Sequence, residues 1–374
     1  MAQRFPRGFR ALTRRLRMAR VIARALQSRR HPILAQIVPT RRCNLACEYC
    51  NEFDSTSAPI PLEVMLARVD RLAALGTAMV DLSGGEPMLH PGLEQIVSRI
   101  RSHGMFAGLL TNGYLLTRAR IAALNDAGLD RLQMSIDNVI PDDVSHKSLK
   151  VLDQKLRWLA EDAAFDVNVN TVLGAGVCNP PDALLIATRA LSLGFGTSVG
   201  LIHDRSGQLA PLDPIQRQVY DELQDLERGF YSHAHDRLFQ ENLIRGTANE
   251  WQCGAGARYL YVCEDGLVHW CSQQRGYPGV PLERYGPEDL DREYSSVKSC
   301  APHCTVSCVH RVAVVDAIRD RPLATLEALG DAARAAGRRP PRSVGVLTWM
   351  FVTGGQRELF RRLAVRALNA TRGL

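Results

Sequence analysis

Nine of the ten cysteines in this 374-residue chain fall into two groups, and the first group is the tighter. Cys43, Cys47 and Cys50 stand three and then two residues apart in Arg42-Cys-Asn-Leu-Ala-Cys-Glu-Tyr-Cys, directly after the apolar run Ile33 to Val38. Three thiolates in a short loop can hold a metal centre and leave one coordination position without a protein ligand. Zinc is one occupant, although its sites usually take four protein ligands, or three with His or carboxylate among them. A cubane [4Fe-4S] cluster takes one ligand per iron, so three cysteines leave one iron free for a small molecule.

Further polar groups recur at the ends of the β-rich runs. Ser83-Gly84-Gly85-Glu86-Pro87 pairs two glycines, which let backbone approach a ligand, with a carboxylate that can accept from an ammonium group. Thr111-Asn112-Gly113 reads as a tight turn. Ser135 and Asp137 are two residues apart and share a strand face, where they can address sugar hydroxyls or cap a helix. Asn168 and Asn170 share a face in the same way, and either bond each other or meet a ligand. His203, Asp204 and Arg205 follow the last of these runs as surface charge or substrate contacts.

Regular elements must position these groups. From Ile33 to Asp204, β-rich runs alternate with helical patterns, most of them closed by a glycine, which argues for parallel βα units. Strands are expected at 33–39, 78–83, 106–111, 131–136, 166–173 and 197–203. Leu62, Met65, Leu66, Val69 and Leu72 share one helical face before Gly76, and Leu93, Ile96, Val97 and Ile100 do so before Gly104. Thr117 can N-cap a third helix that ends near Gly128, Leu149 to Leu159 line a fourth, and Pro181 to Leu193 form a fifth. The expected fold class is α/β: a partial (β/α)6 barrel of TIM type, with its chemistry at the C-terminal strand ends. The alternative is an open doubly wound sheet, but cysteines stand where its glycine-rich dinucleotide fingerprint would be.

Composition sets the wider frame. Apolar residues at 46% and charged residues at 23% describe an ordinary globular chain. The net charge of +7 hides an asymmetry: residues 1–30 carry ten Arg and no acid, and 338–374 carry eight Arg and Glu358, which leaves −10 for 31–337. Arginines interrupt every apolar stretch near the N-terminus, so no secretory signal is visible. Many cysteines in a reducing cytoplasm read as metal ligands rather than disulfides. Phe9, Leu12, Leu16, Ala19, Ala23 and Leu26 form an apolar stripe flanked by arginines, and Arg357 to Leu368 repeats that pattern beside Val344 to Val352, a run too short to span a bilayer. Basic amphipathic helices at both ends suit either docking on an anionic membrane surface or packing on the barrel.

The spacing of Cys43, Cys47 and Cys50, with Tyr49 before the last cysteine and Gly-Gly-Glu-Pro one strand later, resembles the signature of the radical SAM superfamily. The resemblance spans roughly residues 33 to 310. It implies a [4Fe-4S] cluster on the three cysteines, its open iron binding S-adenosylmethionine (SAM). Gly84, Gly85 and Glu86 would hold the methionine amino group, Ser135 and Asp137 the ribose, and Tyr49, Asn112 and Asn170 would be further SAM contacts. The implied reaction is reductive cleavage of SAM to methionine and a 5′-deoxyadenosyl radical, which abstracts hydrogen from an unactivated carbon. An electron donor such as flavodoxin or ferredoxin is the implied partner. Cys178 is either an inert thiol or a hydrogen donor to the substrate radical.

The second group is Cys253, Cys263, Cys271, Cys300, Cys304 and Cys308. Cys253, Gly266 and Cys271 resemble the opening of the SPASM module, or its shorter twitch form, which adds auxiliary [4Fe-4S] clusters to radical SAM barrels. Tyr259 to Trp270 should form a hairpin turning at Asp265-Gly266. The later spacing departs from the family, with three and three residues between Cys300, Cys304 and Cys308 where two, five and three are usual. One auxiliary cluster is expected, with two clusters or a zinc knuckle as alternatives; His269, His303 and His310 stand nearby and read as core or surface residues, with substitution as ligands the alternative. The chain then divides into a basic helix (1–32), a barrel (33–230), an auxiliary module (231–315) and a helical basic tail (316–374). The substrate expectation is a lipid or lipid-linked molecule at the inner face of the membrane. Maturation of a ribosomally made peptide or protein is the alternative. A non-catalytic iron-sulfur or nucleic-acid-binding protein is a third reading, against which the intact Gly-Gly-Glu-Pro speaks.

Overall fold

The computed structural model describes residues 7–335 except 175, 204–208, 210 and 227–229. Asp204, Arg205 and the basic tail 338–374 lie outside the described residues. Helix α1 (Arg7–Gln27) leads into β1 (Leu34–Thr40). There follow α2 (Leu62–Ala74), β2 (Met79–Gly84), α3 (Leu93–Ser102), β3 (Phe106–Thr111), α4 (Arg118–Ala127), β4 (Arg131–Ser135), α5 (Leu149–Asp162), β5 (Asp166–Gly174), α6 (Asp182–Ser192) and β6 (Gly196–Ile202). Every strand boundary falls within one residue of the sequence expectation. Local chemistry explains this: Thr117 accepts the Arg120 N–H to start α4, Gly128 ends it with φ +85°, and Met65, Val69 and Leu72 of α2 are fully buried.

The rest of the chain is α7 (Pro214–Asp225), then α8 (Phe230–His235) running through a π-turn into α9 (Glu241–Ile244). A hairpin of β7 (Tyr259–Val262) and β8 (Leu267–Cys271) continues into β9 (Gln274–Pro281), followed by α10 (Pro287–Ser295), α11 (Ser307–Asp320) and α12 (Pro322–Ala335). The strand order is β6-β5-β4-β3-β2-β1-β7-β8-β9, an unclosed, parallel-dominated partial barrel. Six strands were expected in one sheet and nine occur. The added three begin with β7, which lies parallel to β1 with Leu34 opposite Tyr259. All four residues of β7 are buried, so the hairpin covers what would otherwise be the free edge of β1. The cysteine-rich region is thus joined to the barrel by its own sheet.

The N-terminal helix packs across the barrel floor, on the side where the strands begin. Arg14 pairs with Asp166 at the start of β5, and Arg17 with Asp130, a carboxylate only 1% exposed just before β4. Arg258 donates to the Ala25 and His31 carbonyls and pairs with Asp316 of α11 at 3.0 Å, tying the floor helix to the C-terminal region. The expected apolar stripe is therefore rotated. Met18, Val21, Ala25 and Leu26 pack inward, whereas Leu12 and Leu16 stay exposed, because the ion pairs fix which face looks down. Among the described residues no helix is long and apolar enough to cross a membrane.

Candidate metal centres and cofactor pocket

Past β1, the backbone of Arg41 and Arg42 runs under Gly84 and Gly85. The Gly85 N–H donates to the Thr40 carbonyl at 3.1 Å and the Glu86 N–H to Arg42 at 2.9 Å. A Cβ on Gly85 would lie 2.2 Å from the Arg41 oxygen and 2.4 Å from that of Arg42. This glycine is demanded by contact with the root of the cysteine loop, whatever its relation to a ligand. The Cys43 N–H donates to Asp54 and the Asp54 N–H back to Arg41, while the Glu48 N–H reaches Val144, so the loop is tied at both ends and in its middle.

Glu86 is fully buried and acts first within the protein. Its carboxylate accepts from the Met88 N–H (3.0 Å), the Thr111 hydroxyl (2.7 Å) and the Asn112 N–H (2.8 Å), and burial pushes its pKa up. Thr111-Asn112-Gly113 is a turn that also belongs to the site. The Asn112 amide donates to Asn44 at 2.8 Å and lies 3.7 Å from Cys43 Sγ.

A cavity of about 170 Å³ lies above these strands, lined by Cys43, Cys47, Cys50, Ser83, Gly84, Gly85, Asn112, Ser135, Glu52 and Lys147. Asp137 adjoins it. Its Oδ2 accepts from the Tyr49 hydroxyl, from Ser145 at 2.7 Å and from Lys147 at 2.9 Å. Burial opposes the charge on Lys147, but Asp137, Tyr49 and Cys47 hold its pKa well above the usual lysine value. Lys147 escaped the sequence reading because it sits in the loop after β4, next to no spaced motif. Asn170 is engaged elsewhere: Ser198 donates to its side-chain carbonyl at 2.9 Å and accepts from Asn168 at 2.8 Å. Cys178 is exposed, with its sulfur 3.8 Å from the Gly176 carbonyl.

The six later cysteines divide. Cys253, Cys271, Cys300 and Cys304 lie within one another's electrostatic reach, beside the apolar cluster of Tyr259, Ala301, Val309 and Val312. Burial pushes the Cys253 thiol to about 11 and Cys271 to about 12. Cys263 follows β7 among Glu264, Asp265 and Glu52, in the same apolar cluster as Cys253 and Cys271. Cys308 accepts from the Gln36 amide at 3.5 Å near Asp81 and Arg131 of β2 and β4, packed against that same cluster. His310 stacks on Phe239 at 4.4 Å and packs edge-on against Trp251, an aromatic setting in which burial holds its pKa well below the usual value.

Thiolates on one zinc ion are about 3.8 Å apart, from Zn–S bonds near 2.3 Å. Among the described residues the only His, Cys, Asp or Glu set of three or more within 4.8 Å is Cys263, Asp265 and His269. That set is satisfied without a metal: the Gly276 N–H donates to His269 Nδ1, which leaves Nε2 to donate to Asp265 at 3.3 Å. Among the described residues neither the Cys43 loop nor the four later cysteines form such a set. The pocket beside the loop also holds partnerless buried oxygens, Ser83 Oγ and, adjoining it, Asp137 Oδ1, as a site for a polar ligand should.

Residues 37–173 match the radical SAM superfamily. A cysteine-rich region with Cys253, Cys263, Cys271, Cys300, Cys304 and Cys308 follows them. The chain is 39% identical over 117 residues to a PqqA peptide cyclase of Methylocella silvestris, covering 30% of this chain and 31% of the relative. The Rhizobium meliloti PqqA peptide cyclase is 34% identical over 170 residues, 41% of this chain and 45% of that one. The matches thus span less than half the length of these curated relatives. In fold, the chain resembles anSMEcpe solved with AdoMet and a Cp18Cys peptide (TM-score 0.53, 13% identity, covering 85% of this chain and 99% of that one). It also resembles Streptococcus suis SuiB bound to the precursor peptide SuiA (TM-score 0.53, 13% identity, covering 78% and 74%).

Proposed function

We propose that this chain is a radical SAM enzyme that modifies a peptide, with Cys43, Cys47 and Cys50 holding the SAM-binding cluster and Cys253, Cys271, Cys300 and Cys304 one auxiliary cluster. The observation that carries the peptide reading is the run of PqqA peptide cyclases related to the catalytic part of the chain at 34–39% identity. The chemistry supplied with cluster and SAM bound is one-electron cleavage of SAM to a radical that takes hydrogen from carbon. The protein's own residues position and enclose. Gly84, Gly85 and Asn112 shape the pocket beside the loop, Ser83 and Ser135 offer hydroxyls to a polar ligand, and Lys147 presents a cation braced by Asp137 and Tyr49.

The lipid expectation loses its footing in α1, which spends Arg14 and Arg17 on the barrel floor. In this reading the division at 32, 230 and 315 separates floor helix, barrel, auxiliary module and tail. Anaerobic reconstitution, reduction and incubation with SAM should release 5′-deoxyadenosine, and a short peptide encoded beside the gene should lose hydrogen mass. Absence of 5′-deoxyadenosine would end the enzymatic reading. Turnover of a lipid but of no peptide would restore the lipid one.

A further inference from the structure

Lys298 lies two residues before Cys300 and is only 3% exposed. It donates to the Glu293 carbonyl, to Ser296 Oγ at 2.6 Å and to the Ser296 carbonyl at 3.3 Å, the three donors that an ammonium has. Its nitrogen also sits 5.3 Å from the centroid of the Trp270 ring, and Trp270 is the chain neighbour of Cys271. Carbonyls, a hydroxyl and a ring hold the ammonium with no directly bonded carboxylate, while burial lowers its pKa below the usual lysine value. The carboxylate that it feels, that of Glu293, is bonded to Trp270 Nε1 at 2.7 Å and to Arg292 Nε at 3.0 Å.

The groups on which this charge acts are Cys253 and Cys300. Four thiolates around a [4Fe-4S] core leave a net negative object, and adding an electron makes it more negative. A buried cation beside it stabilises the reduced form, because Coulomb energy is weakly screened away from water. At the Cys43 loop the corresponding buried cation, Lys147, is paired directly with Asp137. The two centres therefore differ in the charge placed beside them.

We propose that Lys298 is a fixed positive charge that raises the reduction potential of the auxiliary centre and so makes it the electron acceptor of the two. The proposal rests on the reading of Cys253, Cys271, Cys300 and Cys304 as one cluster site. It is tested in the full chain carrying Cys43→Ala, Cys47→Ala and Cys50→Ala, reconstituted with iron and sulfide, by iron analysis and by redox titration followed by electron paramagnetic resonance. Lys298→Met should lower the potential by at least the tenfold change in a one-electron equilibrium, about 59 mV. Lys298→Arg should hold it near the starting value, and Glu293→Gln, which removes the nearby negative charge, should raise it. An unchanged potential in Lys298→Met with iron intact overturns the proposal, as does a fall in Lys298→Arg equal to that in Lys298→Met. Should Lys298→Met fail to load iron, Glu293→Gln decides, and no rise there overturns it. A background protein without iron would overturn the four-cysteine reading itself, and the proposal with it.

Discussion

The two cysteine regions hold sulfur in different surroundings. The Cys43 loop faces a cavity with buried oxygens that lack partners, and its ties run to strand ends through backbone hydrogen bonds and glycine contacts. The four later cysteines are gathered by elements far apart in sequence, against the same apolar cluster that holds Ala25 of the floor helix. A centre that must admit a small molecule needs a ligand-poor side and a polar pocket. One that only exchanges electrons is better fully ligated and enclosed.

The sharpest break in this comparison should come from Cys43→Ala, Cys47→Ala and Cys50→Ala together. Formation of 5′-deoxyadenosine should fall to background, while about four irons per chain remain on the later cysteines. Conversely, Cys271→Ala should lose that iron and the peptide product but keep 5′-deoxyadenosine release, whereas Cys263→Ser and Cys308→Ser should keep the iron content unchanged. Full iron loss in Cys263→Ser would show that the division of the six cysteines is wrong.

Smaller effects probe how each region is supported. Gly85→Ala forces a methyl group against two carbonyls and should cost about 2–3 kcal/mol of stability, with the Cys43 loop losing iron before the auxiliary site does. Asp130→Asn leaves Arg17 and Arg101 without their carboxylate and should cost about 2 kcal/mol in denaturant titration. Because α1 is tied to Arg258 and α11, that variant should loosen the auxiliary region first, seen as faster hydrogen exchange in α11 than in β2.

The least effect is a pH dependence at the same junction. Burial, with Arg258 adding to it, lowers the pKa of His31 from 6.5 to about 3. The folded state holds this ring neutral while the unfolded chain protonates it. Stability from this group is thus present above about pH 6.5 and is lost as pH falls toward 3. His31→Gln should flatten the acid slope of the melting temperature between pH 7 and 5, and an unchanged slope would assign it to other groups.

Local chemistry made much of this molecule legible. Period-two runs, glycine stops and the Thr117 cap act between near neighbours, so strand boundaries came within a residue. The loop cysteines, Gly84, Gly85 and Asn112 could be singled out because their spacing is short and they line one pocket. Lys147 could not, since its role comes from meeting Tyr49 and Asp137 across a loop. Nor could the inward face of α1, where the apolar stripe pointed one way and Asp130 and Asp166 pulled the other.

By itself the sequence determined the parallel βα core, the three-cysteine loop after its first strand, and the presence of a second sulfur-rich region, because each is written in contiguous residues. Only the tertiary structure decided that β7 joins the barrel sheet at β1, that Cys253, Cys271, Cys300 and Cys304 come within one another's electrostatic reach, and that Lys298 is buried beside them. The first of these depends on contacts between segments more than 200 residues apart, such as Leu34 with Tyr259, and no local pattern encodes it.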